Sequence, residues 1–420
     1  MQTNLADFIR DTAQGQEAEA ILRSCVHCGF CNATCPTYQL LGDELDGPRG
    51  RIYLMKQMLE GQPVTAVTRL HLDRCLTCRN CETTCPSGVQ YGRLIDIGRD
   101  VVERLSPRPA AERLLRTGLR KGLQSPVLFG AMLKLGQSVR GFLPAALREH
   151  LPAAARSPDA ASAESGDSAH TNPEFHERHP GYLKRRMLVL AGCVQPSLAP
   201  ETNAAASRVL ARLGIELIAA PEAGCCGAID QHLAAPDAAK AAMRRNIDAW
   251  WPFIQDGCEA IVMTASGCGS TVKEYGHHLR HDPVYAEKAA RVSDLTRDLS
   301  EILRDEDLSA LKPAAPKRIT FHPPCSLQHG QKLRGVIESI LSRAGYELLP
   351  VVDAHLCCGS AGTYSILQPE LAGQLRANKL SNLQAHGPQL IASANIGCQT
   401  HLAAASAVPV VHWITLLDSA

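Results

Sequence analysis

The spacing of apolar positions changes twice along the chain. From residue 184 onward, short apolar runs alternate with longer stretches whose apolar residues recur at helical spacing. The runs 187–190, 216–219 and 260–264 read as strands, with helices near 203–213 and 237–251. The scheme then recurs, with strands at 319–321, 347–351 and 390–394 and helices near 331–344 and 369–385. Strands joined by helices predict parallel βαβ units with right-handed crossovers. Between about 152 and 182 the chain is rich in Ala, Ser, Pro, Asp and Gly and has no apolar period, so it reads as a linker. Just before it, 126–135 and 139–147 are apolar and amphipathic, suited to ordinary packing or to docking on a partner or a membrane surface.

The zone from 184 onward contains an internal repeat. The run Arg185-Arg186-Met187-Leu188-Val189, leading to Cys193, matches Lys317-Arg318-Ile319-Thr320-Phe321, leading to Cys325. At the same offset Cys225-Cys226-Gly227 matches Cys357-Cys358-Gly359, and Arg244 and Asn246 match Arg376 and Asn378. Gly267-Cys268 matches Gly397-Cys398 with a small slip. In a parallel sheet the carboxyl ends of the strands share one edge, where ligands bind. Cys193, Cys225, Cys226 and Cys268 are therefore expected to converge, and so are Cys325, Cys357, Cys358 and Cys398. Four thiols suffice for a metal or iron–sulfur site; the plainer alternative is small buried cysteines in a core. Gly227, Gly359 and Gly362 allow backbone N–H groups to approach anionic sulfur. His232, His322, His329 and His401 lie near these cysteines, as structural residues or as ligands and proton shuttles. Cys258 stands outside the repeat.

Composition narrows the chemistry. Lys and Arg total 43 against 42 Asp and Glu, which argues against a nucleic-acid binder. No basic segment followed by an apolar core opens the chain, and no window approaches the ~18 apolar residues of a spanning helix. The chain thus reads as intracellular, where 17 cysteines point to metal ligation or redox work before disulfides.

Eight of those cysteines fall in two runs, Cys25-x2-Cys28-x2-Cys31-x3-Cys35-Pro36 and Cys75-x2-Cys78-x2-Cys81-x3-Cys85-Pro86. Both fit the pattern of two-cluster ferredoxins. Three cysteines two residues apart wrap one cubane face, and the fourth, followed by proline, leads away to the other cluster. Cluster 1 then takes Cys25, Cys28, Cys31 and Cys85; cluster 2 takes Cys75, Cys78, Cys81 and Cys35. A zinc site has no use for the crossed Cys-Pro. The insert between the runs, with a helical stretch at 51–59, favours a helical ferredoxin domain. Within it Arg49 and Arg51 either open a helix after a turn or lie near an anionic cluster and raise its potential.

Neither G-x-G-x-x-G after a predicted strand nor G-x-x-x-x-G-K-[ST] occurs, so nothing marks a nicotinamide, flavin or nucleotide site. An electron carrier without an organic cofactor needs partners that supply and remove electrons. The expected architecture is α+β and multidomain. It comprises a helical ferredoxin domain over 1–105, a helical segment and linker over 106–183, and two α/β cysteine-rich domains of parallel βαβ type over 184–312 and 313–420.

The chain resembles the iron–sulfur subunits of bacterial glycolate oxidase (glycolate dehydrogenase). The resemblance spans nearly everything outside the linker. It is carried by Cys25-Val26-His27-Cys28-Gly29-Phe30-Cys31, Leu45-Asp46-Gly47-Pro48-Arg49-Gly50-Arg51-Ile52-Tyr53 and Cys75-Leu76-Thr77-Cys78-Arg79-Asn80-Cys81-Glu82-Thr83-Thr84-Cys85-Pro86. It continues in Glu222-Ala223-Gly224-Cys225-Cys226-Gly227-Ala228, Asn246-Ile247-Asp248-Ala249-Trp250-Trp251 and Ala394-Asn395-Ile396-Gly397-Cys398-Gln399-Thr400-His401. It implies two [4Fe–4S] clusters and a complex with flavin-binding subunits that oxidise glycolate, and (R)-lactate, to the 2-oxo acid. Electrons would pass to a respiratory acceptor such as a quinone at the cytoplasmic face of the inner membrane. The repeats resemble the CCG cysteine-rich domain, also found in heterodisulfide reductases and in the third subunit of anaerobic glycerol-3-phosphate dehydrogenase. That domain ends in C-x-x-C, whereas Ala265 and Asn395 stand at the first position here, leaving four thiols per repeat. Alternative functions are an iron–sulfur subunit for lactate or glycerol 3-phosphate, or a heterodisulfide-reductase-like thiol enzyme.

Overall fold

The structure, a computed structural model, describes residues 1–138, 185–311 and 317–418. The 139–147 stretch and the 152–182 linker lie outside the described residues. Residues 1–138 are helical. The helices Ala13–Ser24, Pro48–Leu59, Ala66–Asp73 and Tyr91–Leu105 enclose a core of Leu22, Met55, Leu59, Leu72, Leu94 and Ile95. Proline at the first turn and the αL residue Gly42 after the last limit the short helix Pro36–Leu41 that follows Cys35. The predicted 51–59 helix begins earlier, at Pro48, because proline is pre-set for the first helical turn.

The remainder holds two sheets of identical topology. The first contains β1 (Arg185–Val189), β2 (Ile215–Ala219), β3 (Ile261–Met263) and β4 (Thr296–Asp298) in the order β2-β1-β3-β4. The second contains β5 (Arg318–His322), β6 (Glu347–Leu348), β7 (Leu390–Ser393) and β8 (Val410–His412) in the order β6-β5-β7-β8. Every pairing is parallel. The expected α+β arrangement, with a helical N-terminal part and two βαβ repeats, is what the fold shows. The strands β4 and β8 were not expected. Each is three residues long and opens onto a helix, too short for a period-2 signal to form. The helix expected at 331–344 starts only at Val336, after αL Gly335.

The two repeats share a core. The last helix of each packs on the first helix of the other: Trp413–Asp418 on Glu201–Arg212, and Leu299–Arg304 on Val336–Arg343. Val209, Leu210, Leu303, Ile340, Trp413 and Leu417 meet there, all buried. Arg208 and Arg212 bind Asp418 at the rim. This reciprocal exchange brings the ligand edges of both sheets into one neighbourhood, where Ser266 N–H donates to Ala394 O at 3.1 Å.

Candidate metal centres

The two N-terminal cysteine runs fold as copies of one turn. Cys25 and Cys75 follow the helices Ala13–Ser24 and Ala66–Asp73. The chain then takes positive φ at His27 (56°) and Gly29 (86°), and likewise at Thr77 (53°) and Arg79 (60°). Alternating left-handed residues turn successive N–H groups inward, the geometry of an anion nest. Thr77 N–H points at Cys75 Sγ, 3.4 Å away. Arg99 holds the second turn from behind, donating to Cys75 O at 2.6 Å and Thr77 Oγ1 at 2.8 Å.

Cys25, Cys28, Cys31 and Cys85 line one small cavity, where Cys81 also reaches the wall. Cys35, Cys75, Cys78 and Cys81 line another. The fourth cysteine of each run thus crosses to the other run's three. Tyr91 stands at both walls, Arg49 at the first and Arg51 at the second. Burial and the neighbouring Cys25 push the Cys31 thiol up to about 11. Burial, with Cys78 and Cys75 close by, pushes Cys81 well up. Four thiols crowded in an enclosed space oppose one another's ionisation unless a cation binds them, and a cluster of four sulfur-seeking irons suits that donor set. Of the eight, Cys28 is exposed, so the first cavity lies near the surface and the second deeper.

Arg51 is buried with Asp46. Its Nη2 lies 3.3 Å from Asp46 Oδ1, its Nη1 3.2 Å from Thr37 Oγ1, and its Nε donates to His71 O at 2.7 Å. Arg74 and His71 complete the shell of Asp46 at 2.8 and 3.0 Å. Arg49 instead forks onto Glu44.

In each repeat the chain reverses direction of strand addition between its first and third strands. A crevice opens there, outside the carboxyl ends. Cys193 follows β1 and Cys268 follows β3 at this crevice, and Cys225-Cys226 arrives after β2. The sulfurs form a contiguous chain, Cys193 to Cys225 to Cys226 to Cys268. Hydrogen bonds from Cys193 and Cys226 hold the Cys225 thiol below its ordinary value. The second repeat copies the chain: Cys325 Sγ lies 3.8 Å from Cys357 Sγ, and Cys357, Cys358 and Cys398 follow in contact. Gly227 and Gly359 adopt φ of 91° and 90°, and a Cβ would meet Ala239 O at 3.1 Å and Ala372 O at 2.7 Å. Only glycine suits that turn.

One sequence match fails in space. Buried Asn246 clamps the first cysteine pair, accepting from Gly224 N–H at 2.8 Å and donating to Cys225 O at 3.0 Å. Asn378 is exposed; its helix slips by one residue, and Lys379 points inward instead, donating to Asp353 O at 2.7 Å. Cys258 lies apart, its Sγ 3.2 Å from Ala260 O. His329 bridges Thr83 and His355, with 2.9 Å on each side, and His232 sits 3.9 Å from Asp96. His401 lies 3.3 Å from Ala372 O.

The N-terminal unit docks over both crevices. A cavity of about 1000 Å³ between the three parts is lined by Cys75, Cys78, all four first-repeat thiols, and Cys325, Cys357 and Cys398. Burial pushes the Cys78 thiol well up, and the nearby Cys325 adds to it. Arg79, Asn80 and Thr83 make docking contacts from the second cysteine run, beside the pairs Arg120 with Asp230 and Arg280 with Glu17; sequence reasoning missed their part, and the one signal was their position inside that run.

Comparison with known proteins agrees with this layout. The 4Fe-4S dicluster domain family matches residues 21–89, and the cysteine-rich CCG domain family matches 187–273 and 319–403. The glycolate oxidase iron-sulfur subunit of Escherichia coli (strain K12) is 55% identical over 420 residues, 100% of this chain and 99% of that one. The probable glycolate oxidase iron-sulfur subunit of Bacillus subtilis (strain 168) is 32% identical over 397 residues, covering 90% and 88%. Lactate utilization protein A of Bacillus licheniformis is 28% identical over 214 residues, 49% of this chain and 85% of that protein. With paired cysteine runs, duplicated CCG crevices and identity along its whole length, the chain belongs to the family of glycolate oxidase iron–sulfur subunits.

Proposed function

We propose that this chain is the electron-transfer subunit of a glycolate-type 2-hydroxy-acid dehydrogenase. Cys25, Cys28, Cys31 and Cys85 hold one [4Fe–4S] cluster, and Cys75, Cys78, Cys81 and Cys35 hold the second. The observation that carries this reading is the crossing of Cys85 to the cavity of Cys25, Cys28 and Cys31, and of Cys35 to that of Cys75, Cys78 and Cys81. When bound, such clusters accept and release single electrons without taking up protons. The protein's part is to bury the ligands, supply Arg49 and Arg51 as counter-charge, and keep Cys28 at the surface where a partner approaches.

The partners on this reading are flavin-binding subunits that oxidise glycolate to glyoxylate, and (R)-lactate to pyruvate, with a quinone-type respiratory acceptor. Association with the cytoplasmic face of the inner membrane is peripheral; among the described residues no helix is long and apolar enough to cross a membrane. The working units are 1–105, 106–183, 184–312 and 313–420, and the thiols of the two CCG repeats form further metal or iron–sulfur sites. Similarity to lactate utilization protein A over half the chain favours a second reading, a subunit serving lactate. The flavoprotein that co-purifies separates the two.

The test is iron and acid-labile sulfide per chain on anaerobically purified protein, with glycolate-dependent dye reduction in the reconstituted complex. Cys28→Ser and Cys78→Ser should each lose or convert one cluster and abolish dye reduction. Undiminished turnover in both variants would falsify the proposal.

A further inference from the structure

His322 ends β5, is buried, and pairs in register with Ser393 of β7. Its Nδ1 lies 3.0 Å from Ser393 Oγ, and that hydroxyl donates to the His322 carbonyl at 3.5 Å. A hydroxyl that spends its one proton there accepts from the ring. In that arrangement Nδ1 carries the hydrogen and Nε2 the lone pair, the tautomer a metal ligand needs. Nε2 is buried and has no hydrogen-bond partner among the described residues.

A ring nitrogen of His322 and the sulfurs of Cys358 and Cys398 all lie within 4.8 Å of one another. A tetrahedral ion with bonds of about 2.0–2.3 Å sets its donors about 3.3–3.8 Å apart, so a small contraction closes this group around a metal. The surroundings are those of a ligand set. Ser393 engages the far ring nitrogen, and Asn395 Nδ2 donates to Cys398 Sγ at 3.5 Å. The equivalent position in the first repeat is Leu190, also buried. The fold accepts an aliphatic side chain there, so packing alone does not demand an imidazole.

The geometry points to a mixed nitrogen–sulfur metal site in the second repeat, with His322 Nε2 joining Cys358 and Cys398 on one metal ion of tetrahedral preference. At the matching position the first repeat offers the aliphatic Leu190. The two copies of one fold thus take different metal environments. The inference rests on reading the repeat's thiols as metal ligands, and the shared chemistry fits either a lone zinc ion or an iron of a cluster.

The full chain and His322→Leu, which copies the first repeat, are purified anaerobically and compared for zinc, iron and sulfide. Loss of about one zinc per chain in the variant supports the zinc form. Loss of iron beyond the N-terminal clusters, or a changed EPR signal, supports the cluster form. Should the variant fail to fold, the wild-type chain decides: zinc-edge X-ray absorption, or pulsed EPR on 15N-histidine-labelled protein, must reveal a bound nitrogen. A repeat-bound metal with an all-sulfur shell overturns the His322 site and leaves the thiol reading intact. No metal beyond about eight irons overturns both.

Discussion

Arg79 forks onto Glu274 with N–O distances of 2.6 and 2.8 Å, joining the second cysteine run to the first repeat. Both side chains are largely buried, so the pair is more than a surface contact. Glu274→Gln leaves a buried guanidinium with a neutral partner and costs docking about 2 kcal/mol. That corresponds to about 30-fold in the opening equilibrium. Hydrogen exchange across 75–84 should rise by that order, with iron content unchanged. Unaltered exchange would show that the clamp does not hold the units together.

Arg51 sets the charge beside the deeper cavity. Removing it in Arg51→Leu leaves Asp46 paired with Arg74 and His71 and takes one positive charge from the wall shared with Cys35 and Cys75. The midpoint potential of one centre should fall by on the order of tens of millivolts, and that of the other by less. EPR-monitored titration reads this directly; two unmoved midpoints contradict it.

Gly50 lies where the helix Pro48–Leu59 passes the backbone of Glu44. A Cβ there would stand 2.1 Å from Glu44 O, and no side-chain rearrangement relieves a clash with backbone. Gly50→Ala should cost about 1–3 kcal/mol and shift the segment bearing Arg49 and Arg51. Gly118 is the control: it is helical, and a Cβ there would have nothing within 4 Å, so Gly118→Ala should stabilise by about 0.5–1 kcal/mol. Urea midpoints moving in the same direction for both would refute the contrast.

His412 joins the repeats. Its Nε2–H donates to Thr264 O at 2.9 Å, and its Nδ1 accepts from Ile414 N–H at 3.3 Å. A second ring proton would face that N–H, and burial pulls the pKa from 6.5 down to about 4. The unfolded state therefore binds more protons than the folded state between these values. The stability this neutral histidine retains is complete above pH 6.5 and drains as pH falls toward 4. Between pH 7 and pH 5 the loss is about 2 kcal/mol. Anaerobic denaturant titrations should show a smaller pH slope for His412→Asn; equal slopes would assign the loss elsewhere.

The exposed turn at Cys28 is flanked by Val26 and Phe30, 67% and 62% exposed. If this is where the flavin-binding partner approaches, Phe30→Asp should weaken dye reduction about tenfold while iron per chain stays constant, since the side chain is not part of the cavity wall. Unchanged rates at limiting partner would move the contact to another face.

Much of this protein is written in local spacing. Cysteines two residues apart must wrap a common point, so the grouping of the eight N-terminal cysteines around two cavities was legible, as were the duplicated cysteine pairs and six of the eight described strands. Spacing says nothing about what the far side of a crevice presents. His322 read as one lone histidine among several, and its bare Nε2 emerges only where β5 and β7 lie side by side. Asn246 and Asn378 align in sequence, yet a one-residue slip of a helix gives the inward position to Lys379. The exchange of terminal helices between repeats, and Arg79 reaching Glu274, depend on packing between segments far apart in the chain. Sequence alone determined which thiols exist and how each run turns; the tertiary structure decided which charges and rings face them, because long-range packing, not periodicity, selects those neighbours.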